Sequence, residues 1–169
     1  MIAASRALVW TVAAGDRPSR PDHPRRVFLY DWIKRRKRNI VLEHITLPNN
    51  VLPPVAPYSH AVRAGDFLFV TGQLAEDPAT GEVVKGDIAA QTHQVMQNLQ
   101  RVLTHAGSSF AQVVMARVFV TDFRYYETVN DIYASYYEAG KLPCRTTVGI
   151  NALAGFGDVE IDLIAYCGE

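Results

Sequence analysis

Cysteine is scarce in this sequence of 169 residues, and long apolar runs are missing from it. Neither Cys144 nor Cys167 has a second cysteine or a histidine at the spacing of a zinc site, and two cysteines do not make a disulfide framework. We therefore expect two free thiols, no bound metal and a cytoplasmic location. No run of about eighteen uninterrupted apolar residues occurs, which excludes a transmembrane helix and a membrane partner.

The widespread catalytic signatures are missing as well. The sequence contains no G-x-S-x-G, no phosphate-binding loop, no glycine-rich dinucleotide motif after a strand and no H-E-x-x-H. His93 and His105 fall on the polar side of a predicted helix, where we expect them at the surface. Candidate functional residues must therefore come from a small polar set in apolar or turn contexts.

Acidic residues are rare at the start of the chain, and basic residues are rare in the rest. Residues 1–39 hold ten basic and three acidic residues, a net charge of +7, whereas residues 40–169 hold seven and fourteen, a net charge of −7. Such sorting is typical of a tail attached to a globular unit. We predict a disordered or dispensable extension at 1–39 and one domain at 40–169. The extension could also be a weak secretory signal, an organellar targeting segment, a nucleic-acid contact or a stretch before the true translation start near Ile40.

Regular apolar patterning begins at Ile40 and predicts six strands and two helices. In the first helix, apolar residues recur at three- and four-residue steps, with Asp87 as the N-cap and Gly107 just past the end. The predicted helices span residues 88–106 and 123–140, and the predicted strands span residues 40–46, 60–63, 67–72, 113–121, 146–150 and 159–166.

After the first strand at 40–46, the order of these elements is two strands, helix, strand, helix, two strands, with two strand-helix-strand crossovers. It predicts a single domain of the α/β class, with a twisted mixed sheet and two helices on one face. The strand at 113–121 is apolar on nearly both faces, so we expect it to be covered on both sides. Because no third helix is available, identical faces of neighbouring chains are favoured over solvent as the second cover.

Arg145 is the most informative candidate, because it is one of only seven basic residues in the acidic domain and a guanidinium suits a carboxylate ligand. A structural salt bridge is the alternative. A hairpin closed by the loop 152–157 would place Arg145 and Glu160 four residues out of register, about 13 Å apart along the strands. Direct pairing is therefore not expected, and each group is left to meet a ligand.

Tyr58, Thr71, Gly72 and Asn130 complete the polar set. Tyr58 follows four prolines, which stiffen the chain and can fix a phenol in place, although a tyrosine packed with its hydroxyl at the surface is equally compatible. Thr71 and Gly72 end a predicted strand. A glycine there allows close approach of the backbone to a ligand, and a bulge or turn would explain it equally well.

Eight collinear segments between residues 55 and 166 carry a family resemblance. They are APYSHAV, LFVTGQL, DPATGEVVKGDIAAQTHQVMQNLQRVL, AGSSF, VVMARVFVTD, VNDIYASYY, LPCRTTV and VEIDLIA. Through them the chain resembles the RidA/YjgF family of reactive-intermediate deaminases. The resemblance implies a chorismate-mutase-like subunit in a homotrimer, with the sheets lining a central barrel and the ligand clefts between subunits.

The resemblance also implies an activity, namely hydrolysis of enamines and imines such as 2-aminoacrylate to 2-keto acids and ammonia, without metal or organic cofactor. Thr147 stands where many members have cysteine, and little loss is expected because the contact there is thought to use backbone. The implied catalytic residues are Arg145, Glu160 and Tyr58, and the implied substrate-binding residues are Arg145, Thr71, Gly72, Asn130 and Thr147.

Two other functions stay open. A sensor would bind keto acids or other small carboxylates in the same cleft without turnover. A ribonuclease or translation inhibitor would recruit the basic segment 1–39 to RNA, although the acidic domain is a poor partner for a polyanion, so nucleic acid is not the expected ligand. The residues do not decide between 2-aminoacrylate, 3-aminoacrylate and 2-aminomuconate as the substrate.

Overall fold

The computed structural model of the chain describes residues 41–48 and 56–168. The segment 1–39 lies outside them, so its predicted character stays a prediction. Within the described ranges the chain forms six strands and two α-helices, joined in three places by single turns of 3₁₀ helix. The strands are β1 (Leu42–Ile45), β2 (Ala61–Ala64), β3 (Phe67–Gln73), β4 (Val113–Val120), β5 (Cys144–Gly149) and β6 (Val159–Tyr166), and the helices are α1 (Ile88–His105) and α2 (Tyr126–Ser135).

All six strands join in one mixed sheet, in the order β1-β2-β3-β6-β4-β5. The β4–β5 pair is parallel and the other four pairs are antiparallel. Helix α1 connects β3 to β4, which lie on either side of β6, and α2 connects β4 to its neighbour β5. The predicted α/β class is therefore confirmed, with its mixed sheet, two helices and two crossovers.

Helix α1 provides the main apolar layer over the sheet and packs on β3 and β6. The Asp87 carboxylate accepts a hydrogen bond from the Ala89 N–H at 3.0 Å, and Gly107 follows the helix end at φ +69°. Both caps confirm the sequence prediction. Full burial of a large apolar side chain contributes about 1.5–3 kcal/mol, and this interface buries Leu68, Val95, Met96, Leu99, Val102, Leu103, Ile161 and Leu163.

The predicted hairpin of the second and third strands is confirmed, with ends shifted by one residue. Ala64 pairs with Phe67, so Gly65 and Asp66 form a two-residue turn. Gly65 has a φ of +59°, a conformation that glycine adopts without steric cost. The turn fixes the register of β2 against β3.

Helix α2 is shorter than predicted, because it ends at Ser135 and not at Gly140. The N–H groups of Tyr136 and Tyr137 bond to carbonyls three residues back, at 3.2 and 3.1 Å, so the chain tightens and leaves the helix. Their rings pack on Phe110, at centroid distances of 5.6 and 5.3 Å. The apolar pattern continues past Ser135 because Tyr136 and Tyr137 pack against the core although they lie beyond the end of the helix.

The predicted hairpin between the last two strands is wrong. Strand β4 lies between β5 and β6, parallel to the first and antiparallel to the second. Arg145 therefore pairs with Ala116. Glu160 pairs with Phe119. The residue pattern of a strand sets its faces but not its partner, which is why the sequence did not reveal the intervening strand.

One face of the sheet is not covered by the described part of this chain. Side chains alternate along each strand, so the residues that flank the buried positions point away from α1. One face of β4 is thus covered by the helices. The prediction that both faces of this strand are covered is met on that face only. This open face carries Phe67, Phe69, Phe119, Val148, Ile164 and Tyr166, of which Phe67, Phe69, Val148 and Tyr166 are 41–46% exposed.

Candidate active site

A bulge in β3 lies against the carboxyl of Glu160. The β3–β6 register shifts between Val70 and Gln73, so the chain bulges at Thr71 and Gly72. A Cβ added to Gly72 would overlap Glu160 Oε1. The carboxyl therefore occupies the space that any other residue at position 72 would fill, which explains the glycine.

Tyr58 reaches the same bulge through the two residues that follow it. The Thr71 hydroxyl donates to the Ser59 carbonyl at 2.7 Å, and the Thr71 N–H donates to the His60 carbonyl at 3.0 Å. The Tyr58 ring packs edge-on to the ring of His60, which is fully buried, at 5.7 Å between centroids. These contacts bring four predicted site residues together, and we call Tyr58, Thr71, Gly72 and Glu160 the Glu160 cluster.

The carboxyls around Glu160 disfavour one another's charge. Burial, and then the charge of Asp162, raise the pKa of Glu160. Burial, and then the charge of Glu160, raise the pKa of Glu76. Asp162 is paired with Arg117 at 2.6 Å, whereas Glu160 has no ion pair with any residue that the structure describes. Glu160 therefore holds a proton more readily than an exposed carboxyl, as a group that gives and takes protons should.

A cavity of about 750 Å³ lies beside Glu76. Glu76 also interacts electrostatically with Glu160, which belongs to the Glu160 cluster. Sequence reasoning missed Glu76, which lies in a turn-rich segment and is placed near Glu160 only by the fold. The cavity is lined by Ala56, Glu76, Gly81, Glu82, Val83, Lys85, Ala154 and Gly155.

Arg145 lies on the edge strand β5 and points to the helix side of the sheet, because it pairs with the buried Ala116. Its guanidinium carbon is 5.0 Å from the ring centroid of Tyr133 and 5.9 Å from that of Tyr126, both on α2. Burial raises the pKa of Tyr133, so this phenol stays neutral. No carboxylate within the described ranges pairs with Arg145. The structural salt bridge is therefore not formed there, and the guanidinium can meet an anionic ligand.

Asn130 and Thr147 lie beside Arg145. Asn130 follows Tyr126 by four residues and precedes Tyr133 by three, so the three side chains share one face of α2. Thr147 is two residues after Arg145 on β5 and points to the same side of the sheet. Because β5 is an edge strand of the sheet that residues 41–48 and 56–168 form, one side of its backbone is unpaired within that sheet. We call Tyr126, Asn130, Tyr133, Arg145 and Thr147 the Arg145 cluster.

The two clusters lie on opposite faces of the sheet within one chain. Glu160 shares the open face with Phe119, whereas Arg145 points to the helix side. Because β4 lies between β5 and β6, Arg145 and Glu160 are about 10 Å apart across the sheet. Their pairing partners on β4 are three residues apart, which adds about 10 Å along the strands. The structure thus gathers the predicted site residues into two groups, and one chain alone does not bring the groups together.

The two clusters offer a guanidinium, a carboxyl with a raised pKa, phenols, hydroxyls and an amide. No set of three or more metal-ligating side chains occurs within residues 41–48 and 56–168. Cys144 and Cys167 are free thiols. No helix in the described ranges is long and apolar enough to span a bilayer.

Comparison with known proteins gives the same family from sequence and from structure. A RutC family protein of Pyrococcus horikoshii is 39% identical over 125 residues, 74% of this chain and 98% of that protein. A 2-iminobutanoate/2-iminopropanoate deaminase of Bos taurus is 38% identical over 114 residues, 68% of this chain and 82% of the relative. The crystal structure of RidA from the Antarctic bacterium Psychrobacter superposes with a TM-score of 0.68 at 31% identity, over 73% of this chain and 99% of that one. The family model described as endoribonuclease L-PSP matches residues 49–167, and the chain belongs to this family, which is the RidA/YjgF family that its motifs resemble.

Proposed function

We propose that the protein hydrolyses 2-imino acids, and the enamines that tautomerise to them, to 2-keto acids and ammonia. The observation that carries the proposal is the Arg145 guanidinium, which has no carboxylate partner in the described ranges and lies beside Asn130 and Thr147 on an accessible strand edge. The deaminase name of the Bos taurus relative supports the same reaction.

Substrate binding rests on the Arg145 cluster. The planar guanidinium binds the substrate carboxylate through two parallel hydrogen bonds, which fixes the imine carbon as well as the charge. Asn130 offers an amide on the same side, and the free backbone edge at Thr147 offers a further donor. Because Tyr133 stays neutral, Arg145 meets the carboxylate without a competing anion from this side chain.

The chemical step adds water across the C=N bond and then expels ammonia: R–C(=NH)–COO⁻ + H₂O gives R–CO–COO⁻ + NH₃. Glu160 accepts a proton from the attacking water and delivers it to the nitrogen, and then passes the proton of the new hydroxyl group to the departing ammonia, so the carboxyl ends the cycle as it began. A raised pKa suits both halves of this transfer, which typically accelerates a reaction by about 10² to 10⁴. Tyr58 and the bulge at Thr71 and Gly72 form the wall that holds the water.

The two clusters meet only if a second copy of the chain takes part. The open face presents four large apolar side chains to solvent, so a homotrimer that buries this face would remove the unfavourable exposure. In such an assembly, the Arg145 cluster of one protomer faces the Glu160 cluster of its neighbour. The placement of the two clusters on opposite faces supports the expected cleft between subunits.

The test is ammonia release from 2-iminobutanoate generated in place by an amino-acid oxidase. Replacing Arg145→Ala removes two charge-assisted hydrogen bonds of about 1.5–3 kcal/mol each, so kcat/KM should fall at least about 100-fold while the free energy of unfolding is retained. Arg145→Lys keeps the positive charge but loses the planar pair of donors, so its kcat/KM should lie between those of Arg145→Ala and the wild type.

Arg101→Ala is the matched control, because Arg101 lies on α1 and bonds only to Asn98 at 2.6 Å within the described ranges. Its activity should equal that of the wild type. Full activity of Arg145→Ala would refute the proposal. Tight binding of 2-ketobutyrate without turnover of any imine would instead favour the sensor. The endoribonuclease description of the family gains no support from the site, since Glu76 and Glu160 would repel a polyanion.

A further inference from the structure

A stacked pair of aromatic rings, one of them exposed, lies next to the Arg145 guanidinium. The rings of Phe123 and Tyr126 are stacked, 5.3 Å apart between centroids and 11° from parallel. Tyr126 is also one of the two rings that contact Arg145, at 5.9 Å. Phe123 is nevertheless 54% exposed. A large apolar ring left in solvent beside an accessible cation indicates a surface that a ligand covers.

The pair forms one wall of a strip on β5. Three positions of β5 face the helix side of the sheet, because their partners on β4 are buried. They are Arg145, Thr147 and Gly149, which pair with Ala116, Val118 and Val120. The Phe123 ring packs over Gly149: an added Cβ there would lie 3.2 Å from its Cδ2. Arg145 thus lies at one end of the strip and Phe123 at the other, about 13 Å along the strand.

We infer that the side chain of the preferred substrate is a flat, conjugated or aromatic group, bound along β5 against Tyr126 and Phe123 while Arg145 holds the carboxylate. The inference rests on the proposed function and specifies its substrate class. Charge complementarity selects the carboxylate end of the ligand. The stacked rings of Phe123 and Tyr126 select the side-chain end of the ligand, because an aromatic face stacks best on another planar group. A short chain such as that of 2-iminobutanoate ends before it reaches Phe123.

Binding of keto acids tests the inference without turnover. Calorimetry would compare phenylpyruvate with 3-cyclohexylpyruvate, which matches it in size but is not flat, and with 2-ketobutyrate, which is short. Stacking contributes about 0.5–1.5 kcal/mol beyond burial, so phenylpyruvate should bind about fivefold more tightly than 3-cyclohexylpyruvate. Phe123→Leu should reduce this ratio about fivefold and leave the affinity for 2-ketobutyrate unchanged.

Phe156→Leu is the matched control, because Phe156 is the more exposed ring, at 84%, and lies at Lys85 on the loop before β6. It should change neither affinity nor preference. An unchanged preference in Phe123→Leu would overturn the inference. So would a change in sedimentation of Phe123→Leu without a change in preference, since a second copy of the chain would then cover Phe123.

Failure of the proposed function looks different. If the protein prefers aromatic keto acids but turns over no imine, the inferred aromatic group describes its ligand, and the deaminase proposal fails. If 2-iminobutanoate is hydrolysed at least as efficiently as the imine of phenylalanine in the wild type, the deaminase survives and the inference is overturned. Both measurements use the full chain.

Discussion

Gly72 determines where the Glu160 carboxyl can lie. A Cβ at this position would overlap Glu160 Oε1, which is the mobile end of a long side chain, so the carboxyl can move aside at little cost in stability. We therefore expect Gly72→Ala to fold normally and to lose about 100-fold in kcat, the lower bound of a general acid-base contribution. Steady-state kinetics and urea denaturation would measure the two effects.

A double-mutant cycle with Glu160→Ala tests whether Gly72→Ala lowers kcat through the Glu160 carboxyl. If Gly72→Ala acts by displacing the carboxyl, it should cost nothing further in the Glu160→Ala background. Additive losses would show that the glycine acts on the substrate directly, and the explanation through Glu160 would fail.

Glu160 should make stability depend on pH in a stated direction. Burial and the charge of Asp162 raise its pKa above the ordinary value of 4.5, so the folded state favours the protonated carboxyl. Its stabilising contribution is complete below pH 4.5 and is lost as the pH rises through the folded pKa. Glu160→Gln cannot ionise and should therefore exceed the wild type in free energy of unfolding at pH 7.

This advantage should shrink as the pH falls below about 4.5, where the wild-type carboxyl is protonated in both states. Urea denaturation at pH 4 and pH 7 gives the difference directly. Glu127→Gln, at an exposed carboxyl on α2, serves as the matched control for the chemical change. Equal gains for Glu160→Gln at both pH values would contradict the assigned direction.

At the residue scale, sequence patterns identified single side chains but not their neighbours. Arg145 was singled out because cations are rare in the acidic domain, and the structure finds it without a carboxylate partner among the described residues. Glu76 and Tyr126 were missed, because a turn glutamate and a tyrosine on an apolar stripe look ordinary. Only the fold brings Glu76 into electrostatic interaction with Glu160 and the Tyr126 ring within 5.9 Å of the Arg145 guanidinium.

At the element scale, Asp158 joins the start of β6 to two other elements. Its carboxylate accepts hydrogen bonds from Gln91 Nε2 on α1 at 2.9 Å and from the Thr121 hydroxyl after β4 at 2.7 Å. Its N–H donates to Gln91 Oε1 at 2.8 Å. Gln91 is fully buried. The network fixes Asp158, which immediately precedes β6 and lies two residues before Glu160.

We expect Asp158→Ala to destabilise the protein by about 1–3 kcal/mol, because the buried amide of Gln91 loses its acceptor. Asp131→Ala, at an exposed position on α2, should change the free energy of unfolding by less than about 0.5 kcal/mol. Urea denaturation at pH 7 compares the two. Equal stability of both variants would show that water replaces the carboxylate and that the network does not anchor β6.

Elements with strong local signals were predicted well, and those shaped by long-range packing were not. Helix α1 has an N-cap, a buried stripe and a glycine beyond its end, all within about twenty residues, and its bounds were nearly right. Helix α2 ended early because Tyr136 and Tyr137 pack on Phe110, which is distant in sequence. Local periodicity cannot distinguish a ring buried by a helix from one buried next to it.

At the scale of the whole molecule, the proposed site needs two protomers. Arg145 and Glu160 face opposite sides of one sheet, with β4 between their strands. The exposed apolar rings of the open face would provide the driving force for the proposed assembly. The proposed trimer therefore connects burial of the open face with completion of the site.

Mixing two inactive variants tests this arrangement. Arg145→Ala and Glu160→Ala, co-refolded in equal amounts, should regain about a quarter of wild-type activity, because a random cyclic assembly rebuilds about one site in four. Each variant refolded alone should stay inactive, and sedimentation should give the same size for all samples. No recovery in mixed assemblies of correct size would place both groups of each site on one chain.

The sequence by itself determined the strand and helix segments, the turn at Gly65, the caps of α1, the family and the residues worth testing, because each depends on neighbours along the chain or on an ordered set of motifs. Only the tertiary structure decided that β4 separates β5 from β6, and with it the opposite orientation of Arg145 and Glu160. The packing of the whole sheet decides which distant strands pair. A one-residue shift in register moves a side chain to the other face of the sheet, and a change in strand order gives it another neighbour.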